Sequence, residues 1–110
     1  MNIMDFRNEK TIDAILANEE KTTMEKLQDI VGNNYFTNAN RAKGIYRLIQ
    51  ENKAEINSNN YLASAIANKI KSNCLQDFKR IADMQGEKND LPDTVKNLIN
   101  EPIRSGDLDR

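Results

Sequence analysis

The sequence predicts an all-α fold, a compact bundle of four to five helices around a long central fourth helix. Apolar residues recur at spacings of three and four, the helical period, and not at the spacing of two that is typical of half-buried strands. Residues that favour strands are scarce, since the chain contains two Val and no Trp. Leu, Ile, Val and Phe together number 25 among 110 residues, which is enough for one small hydrophobic core.

The first two helices are predicted from an apolar face and from a capping motif. The first is expected over residues 8–18, and Phe6 just before it is expected to extend its packing. The second begins with a capping box, in which the Thr22 hydroxyl accepts a hydrogen bond from the Glu25 amide and the Glu25 carboxylate accepts one from the Thr22 amide. Gly32 stands where a left-handed residue commonly closes a helix.

The third and fourth helices are predicted from their apolar stripes. The third follows a polar loop, has Thr37 or Asn38 as its N-cap, and ends before the Asn-rich turn at 57–60. The fourth is expected over 61–85 as the central helix. Its stripe has a strict spacing of four, which drifts around a helix of 3.6 residues per turn, so its two ends should serve different neighbours. The stripe, which we predict to be buried, consists of Leu62, Ile66, Ile70, Cys74 and Phe78.

The fifth helix is expected after Asp90-Leu91-Pro92, because Pro suits the first turn of a helix, and it should end at Pro102. Residues 1–104 are therefore predicted to form a single helical domain. Residues 105–110 are predicted to be a flexible tail.

Several classes of chemistry are disfavoured by composition. The chain has one Cys and no His, so it lacks an internal disulfide, a Cys/His zinc site and an imidazole base for nucleophilic catalysis. It has no Gly-rich phosphate loop, and its N-terminus does not resemble a signal peptide. No apolar run approaches the length of a membrane span. We therefore expect a non-catalytic cytoplasmic protein that has no cofactor and no metal and does not bind a membrane, with Cys74 as a buried structural thiol.

Charge is distributed unevenly along the chain. Residues 31–82 carry eight bases and three acids, whereas residues 1–30 and 83–110 each carry seven acids and four bases. One interpretation is a basic patch that binds nucleic acid or an acidic protein. The alternative is that the acidic ends pack beside the basic middle and balance its charge. The basic candidates for partner binding are Lys43, Arg47, Lys69, Lys79 and Arg80.

Two local features bear on the partner. The second and third helices have the order of a helix-turn-helix, in which Asn38, Asn40, Arg41 and Lys43 would meet DNA, although the loop between them is longer than usual. Tyr35 and Phe36 would form a hot spot for a partner if exposed, and would cover the core if they fold back.

One glycine within a helix suggests close packing. Gly44 lies within the third helix, and Ala63 and Ala67 lie within the fourth, so a close crossing of these two helices would explain all three residues.

The leading functional expectation is a small intracellular adaptor, inhibitor or effector that binds another protein. A nucleic-acid-binding regulator that uses the basic middle segment is the alternative, and either is compatible with a homo-oligomer.

Overall fold

The computed structural model describes residues 3–86 and 90–100, with side chains from residue 6 onward, and helices are the only regular secondary structure in this part of the chain. The all-α class is therefore confirmed, but the described residues form seven helices where the sequence predicts four or five. The expected end at Pro102 and the expected tail at 105–110 lie outside the described residues. The helices are α1 (Ile3–Ala17), α2 (Thr23–Val31), α3 (Asn38–Glu51), α4 (Lys53–Asn57), α5 (Asn60–Asn73), α6 (Leu75–Gln85) and α7 (Asp93–Asn100).

The starts of α2 and α3 follow their local signals. Both hydrogen bonds of the capping box are present at Thr22 and Glu25, and they lower the pKa of the Glu25 carboxyl because the Thr22 amide and hydroxyl favour its charged form. Thr37 caps α3 by accepting from the Asn40 amide. The expectation of a left-handed Gly32 is wrong, since its φ is −83°, and Gly86 after α6 has the positive φ instead.

The long fourth helix of the prediction is two helices in the structure. Cys74 leaves the helical conformation, with φ −154° and ψ 35°, and separates α5 from α6. Just before it, the side chains of Ser72 and Asn73 both donate hydrogen bonds to the Lys69 carbonyl oxygen. Such bonds compete with the regular backbone hydrogen bonds of the helix. The predicted stripe remains buried throughout, because α5 packs chiefly against α7 whereas α6 packs chiefly against α3.

The hydrophobic core is formed where α5 meets α2, α3 and α7. Its fully buried side chains come from every part of the chain between α1 and α7, with Phe78 the largest. The close approach predicted at Gly44 exists, but its partner is α2. A Cβ at Gly44 would lie 3.0 Å from Ile30 Cγ2, so the close crossing is between α2 and α3.

Candidate functional site

A groove lies over α3, between α1 and α6. Both of these helices pack against α3, and they form the two walls. Each of the three helices contributes residues at positions i, i+3 and i+4, which is the spacing of one helical face. The groove has a volume of about 470 Å³ and is lined by Glu9, Ile12, Asp13, Lys43, Tyr46, Arg47, Ile81, Met84 and Gln85.

The floor of the groove is apolar. Ile12 and Tyr46 are buried there, and Ile81 is half-buried. The Tyr46 ring packs against Phe78 of the core, with 5.7 Å between ring centroids and an angle of 55° between the rings. Burial raises the pKa of the Tyr46 hydroxyl, partly offset by the nearby charge of Lys53. The floor is therefore continuous with the hydrophobic core and held rigid by it.

Ion pairs between α1 and α3 form the polar wall. Lys43 Nζ lies 3.8 Å from Glu9 Oε1, and Arg47 donates through Nη1 to Asp13 Oδ1. Arg47 Nη2 also lies 3.7 Å from Glu51 Oε2, four residues along α3. The side chains in these pairs are roughly half exposed, so water and salt weaken the attraction.

These contacts bear directly on the uneven charge distribution. Lys43 and Arg47 pair with acids of the N-terminal segment, and Lys53 Nζ pairs at 2.9 Å with Asp90 of the C-terminal segment. The acidic ends thus pack beside part of the basic middle, as the alternative interpretation of the charge distribution predicts. Lys43 and Arg47 lie together in the groove, but the other three basic candidates do not line it.

Met84 marks the rim of the groove on α6. This side chain is 78% exposed, and it lies between the groove and a shallow depression on the other side of α6. Lys79 and Arg80 lie in that depression together with Asp83. Arg80 Nη1 is paired within its own helix with Asp77 Oδ1 at 3.1 Å. Lys69 lies on α5, away from both surfaces.

The aromatic pair of the α2–α3 loop is divided by the fold. Phe36 is buried in the core, whereas Tyr35 is 78% exposed. Of the two alternatives for this pair, Phe36 covers the core and is therefore not available to a partner, whereas Tyr35 is exposed. Tyr35 does not line the groove, and its backbone amide donates to Asn33 Oδ1 in the loop.

The four residues that a helix-turn-helix would present to DNA are largely occupied by the fold. Asn40 is buried, and Lys43 faces Glu9. Arg41 donates to the carbonyl oxygens of Val31 and Asn33 at 3.0 Å each, where it caps the C-terminal end of α2. Asn38 and Lys43 are exposed, and the Asn38 side-chain oxygen accepts a hydrogen bond from Arg41.

Other candidate chemistry has a structural explanation. Glu51 and Glu55, four residues apart in the sequence, do not form a pair of carboxylates: Glu51 at the end of α3 faces Arg47, and Glu55 of α4 accepts from the Thr23 hydroxyl of α2. Burial raises the pKa of the Cys74 thiol to about 11, which suits an unreactive thiol. Within the residues that the structure describes, no cluster of three or more Cys, Asp or Glu side chains is placed to hold a metal ion.

Sequence reasoning found two residues of the groove and missed the rest. Lys43 and Arg47 stood out by charge, whereas Ile12 looked like ordinary core and Met84 carried no motif. The sequence does contain a signal for Met84, because this residue follows Ile81 by three positions and does not continue the apolar stripe that ends at Phe78. An apolar residue in such a position either begins a second buried face of the helix or is exposed to solvent.

No protein-family model, curated protein or solved structure matches this chain. Across the described part of the chain, none of the helices combines the length and apolar character needed to cross a membrane.

Proposed function

We propose that this protein is a non-catalytic module that binds another protein, as an adaptor, inhibitor or effector, and that the groove over α3 is its binding surface. The observation that carries the proposal is the apolar floor, which is continuous with the core, is partly open at the half-buried Ile81 and is bordered by the exposed Met84. Exposed apolar surface beside a concave site is characteristic of protein interaction surfaces. A reducing, cytoplasmic setting belongs to the proposal, because a lone buried thiol needs no oxidising compartment.

The size of the groove restricts what the partner inserts. Each helix contributes three residues, at i, i+3 and i+4, and four steps of 1.5 Å per residue span about 6 Å. That length accommodates one or two side chains and not a complete helix face. The partner is therefore expected to insert one or two apolar side chains, such as Leu, Met or Phe, from a short segment.

The polar wall contributes more to the orientation of the bound partner than to the affinity. The pairs of Lys43 with Glu9 and of Arg47 with Asp13 already satisfy their charges, and their exposure keeps them weak. A partner can hydrogen-bond to these groups at the edge without leaving an unpaired charge buried. Charges at an interface edge mainly steer association and fix the orientation of the partner.

Nucleic acid is the less favoured partner. Duplex binding depends on bases that are free to neutralise phosphates. Lys43 and Arg47 instead face acids, and Arg41 is committed to backbone carbonyls of α2. The bases at Lys69 and Lys79 lie on different helices, so they offer a smaller patch than the sequence suggests.

The test is affinity capture from a lysate of the source cells, with and without nuclease, on three immobilised proteins: wild type, Met84→Glu and Tyr61→Glu. Met84 is 78% exposed and Tyr61 is 79% exposed, so Tyr61→Glu is a matched control outside the groove. We expect a nuclease-resistant protein that binds wild type and the control, and that loses at least about tenfold in affinity for Met84→Glu when both are purified.

Two results would contradict the proposal. Recovery that disappears with nuclease would favour nucleic acid as the partner. A purified partner that binds Met84→Glu as tightly as wild type would place the binding surface elsewhere. Circular dichroism of each variant confirms that the helical fold is unchanged.

A further inference from the structure

We infer that α1 is a detachable wall of the groove: it opens away from α2 and α3 as a unit while the other helices stay folded, and its ion pairs with α3 set the closed fraction. The inference concerns a motion of the chain itself, and only its consequence for a partner rests on the proposed function. Its basis is the sparse burial of α1, the concave surface on both of its sides and the exposure of the ion pairs that hold it.

α1 buries few of its side chains. Of the twelve that the structure describes, at residues 6–17, three are buried, compared with seven of fourteen in α3. The three are Asn8, Ile12 and Leu16, which follow one another at intervals of four in a single row, and the first of them is polar. Ile15 is half-buried beside that row. Because apolar burial stabilises in proportion to the area removed from water, α1 is held to the core chiefly by two side chains.

Concave surface lies on both sides of the buried row. The groove follows one side, with Glu9 and Asp13 in its lining. A second depression, of about 370 Å³, follows the other side between α1 and α2, with Thr11 and Ile15 in its lining. α1 therefore rests on α2 and α3 along a narrow strip. Opening along that strip brings less apolar surface into water than the release of an enclosed helix such as α5 would.

Polar contacts supply the remaining attachment. Lys43 and Arg47 of α3 each pair with an acid of α1, and the side chains in both pairs are roughly half exposed. On the other side, Lys26 Nζ of α2 donates to the Leu16 carbonyl oxygen at 2.8 Å, near the end of α1. Since salt screens exposed ion pairs, the closed fraction should fall as the salt concentration rises.

Opening of α1 would remove the groove. Glu9, Ile12 and Asp13 are its contribution to the lining, so the open form has neither that wall nor that part of the floor. A partner that binds in the groove therefore binds the closed form, and by linkage it should suppress the opening. Salt would then weaken partner binding through this equilibrium as well as through direct screening.

Hydrogen exchange of the backbone amides in the full chain tests the inference without a partner. In urea concentrations below the unfolding transition, the amides of α1 should exchange at least about tenfold faster than those of α5. Their exchange should also depend less steeply on urea, because a local opening exposes less surface than global unfolding. Equal rates and equal urea dependence in the two helices would overturn the inference, because α1 would then open only with the whole molecule.

The double variant Lys43→Ala/Arg47→Ala tests the role of the ion pairs. At about 0.05 M salt it should speed the exchange of α1 by about three- to tenfold, and it should remove most of the acceleration that added salt produces in wild type. Lys69→Ala/Lys71→Ala removes the same charge from α5 and should leave the exchange of α1 unchanged. Equal exchange of α1 in wild type and in the Lys43→Ala/Arg47→Ala variant would overturn the role assigned to the ion pairs.

These results are distinguishable from a failure of the proposed function. Independent opening of α1 together with a purified partner that ignores Met84→Glu refutes the proposed function and leaves the inference standing. A partner that requires Met84, together with an α1 that exchanges only by global unfolding, refutes the inference and leaves the groove as the binding surface.

Discussion

The interior around α5 and the groove over α3 use the same kinds of apolar side chain in different ways. The apolar face of α5 is no more than 2% exposed at any of its five main positions, Leu62, Ala63, Ile66, Ala67 and Ile70. In the groove, Ile12 and Tyr46 are also buried, but Ile81 is only half-buried and Met84 is exposed to solvent.

The two regions differ in how completely their apolar side chains are buried, and not in residue type. Fully buried side chains stabilise the fold, whereas partly exposed ones are available to a partner. Burial of apolar area stabilises in proportion to the area removed from water. The interior has already gained that free energy on folding. The uncovered part of the groove can still gain it on association. Substitutions in the two regions should therefore affect different measurements.

Phe78→Ala should give the largest loss of stability. Phe78 is fully buried, and its ring supports the Tyr46 ring beneath the groove. We expect a loss of about 3–5 kcal/mol in the free energy of unfolding, from lost burial and the remaining cavity. Urea denaturation followed by circular dichroism measures it. Tyr61→Ala, at a site 79% exposed, is the control and should change stability by no more than about 0.5 kcal/mol. A loss below about 1 kcal/mol for Phe78→Ala would mean that α6 is not enclosed as described.

The second effect concerns the reactivity of Cys74. Burial raises its pKa from 9.0 to about 11, so between pH 7 and 8 the thiolate should be about a hundredfold scarcer than in the unfolded chain. Alkylation by iodoacetamide should be slower in native protein than in urea-unfolded protein by at least that factor.

The same shift predicts the pH dependence. A raised folded pKa means that the stabilising effect of the neutral buried thiol is complete below pH 9 and is lost as the pH rises toward about 11. Met84→Cys supplies an exposed thiol for comparison in the same protein. Native alkylation of Cys74 at the rate of that exposed thiol would contradict its enclosure.

A third prediction tests the crossing of α2 and α3. Gly44→Ala adds a methyl group 3.0 Å from Ile30 Cγ2, and Ile30 is fully buried and branched, so it yields little. Overpacking should outweigh the better helix propensity of Ala and destabilise the protein by about 1 kcal/mol net. In an Ile30→Ala background the contact is gone, and the same change should be neutral or stabilising. Denaturation of all four proteins gives this coupling, and simple additivity would contradict the close crossing.

The helix ends that were predicted correctly are those set by neighbours in sequence. The capping box at Thr22 and the cap at Thr37 depend only on residues within one turn, and both are present. The break at Cys74 depends on which helix each half meets, since α5 packs against α7 and α6 against α3. The apolar stripe runs through the break unchanged, so periodicity alone could not reveal it.

The candidate site shows the same division. Charge picked out Lys43 and Arg47, because an i, i+4 pair of bases is visible in the sequence. Their pairing with Glu9 and Asp13 joins residues 34 positions apart, and no local rule selects those partners. The groove itself exists only because α1 and α6 flank α3 without closing over it, which is a property of packing.

The smallest stability effect is expected for the double variant Lys43→Ala/Arg47→Ala, and it most sharply separates the two candidate functions. The pairs it removes are half exposed, so the loss of stability should be under about 1 kcal/mol. The matched control is Lys69→Ala/Lys71→Ala, which removes the same charge from α5, outside the groove.

If a protein binds in the groove, only the groove variant should slow association with the purified partner, and the apolar contact should keep dissociation nearly unchanged. If the chain binds duplex DNA through the summed charge of its basic middle, each phosphate contact contributes about −0.9 to the log–log slope of affinity against salt. Both double variants should then flatten that slope, by up to about two units each. Stopped-flow association with the partner and DNA titrations at several salt concentrations measure the two quantities.

An equal effect of the two variants on DNA affinity would break the comparison between core and groove, because it would assign function to charge spread over the surface. A change in DNA affinity or in the rate of partner association that is confined to the Lys43→Ala/Arg47→Ala variant would sharpen that comparison. Of the bases exchanged, only those two lie in the groove, beside the half-buried Ile81 and the exposed Met84.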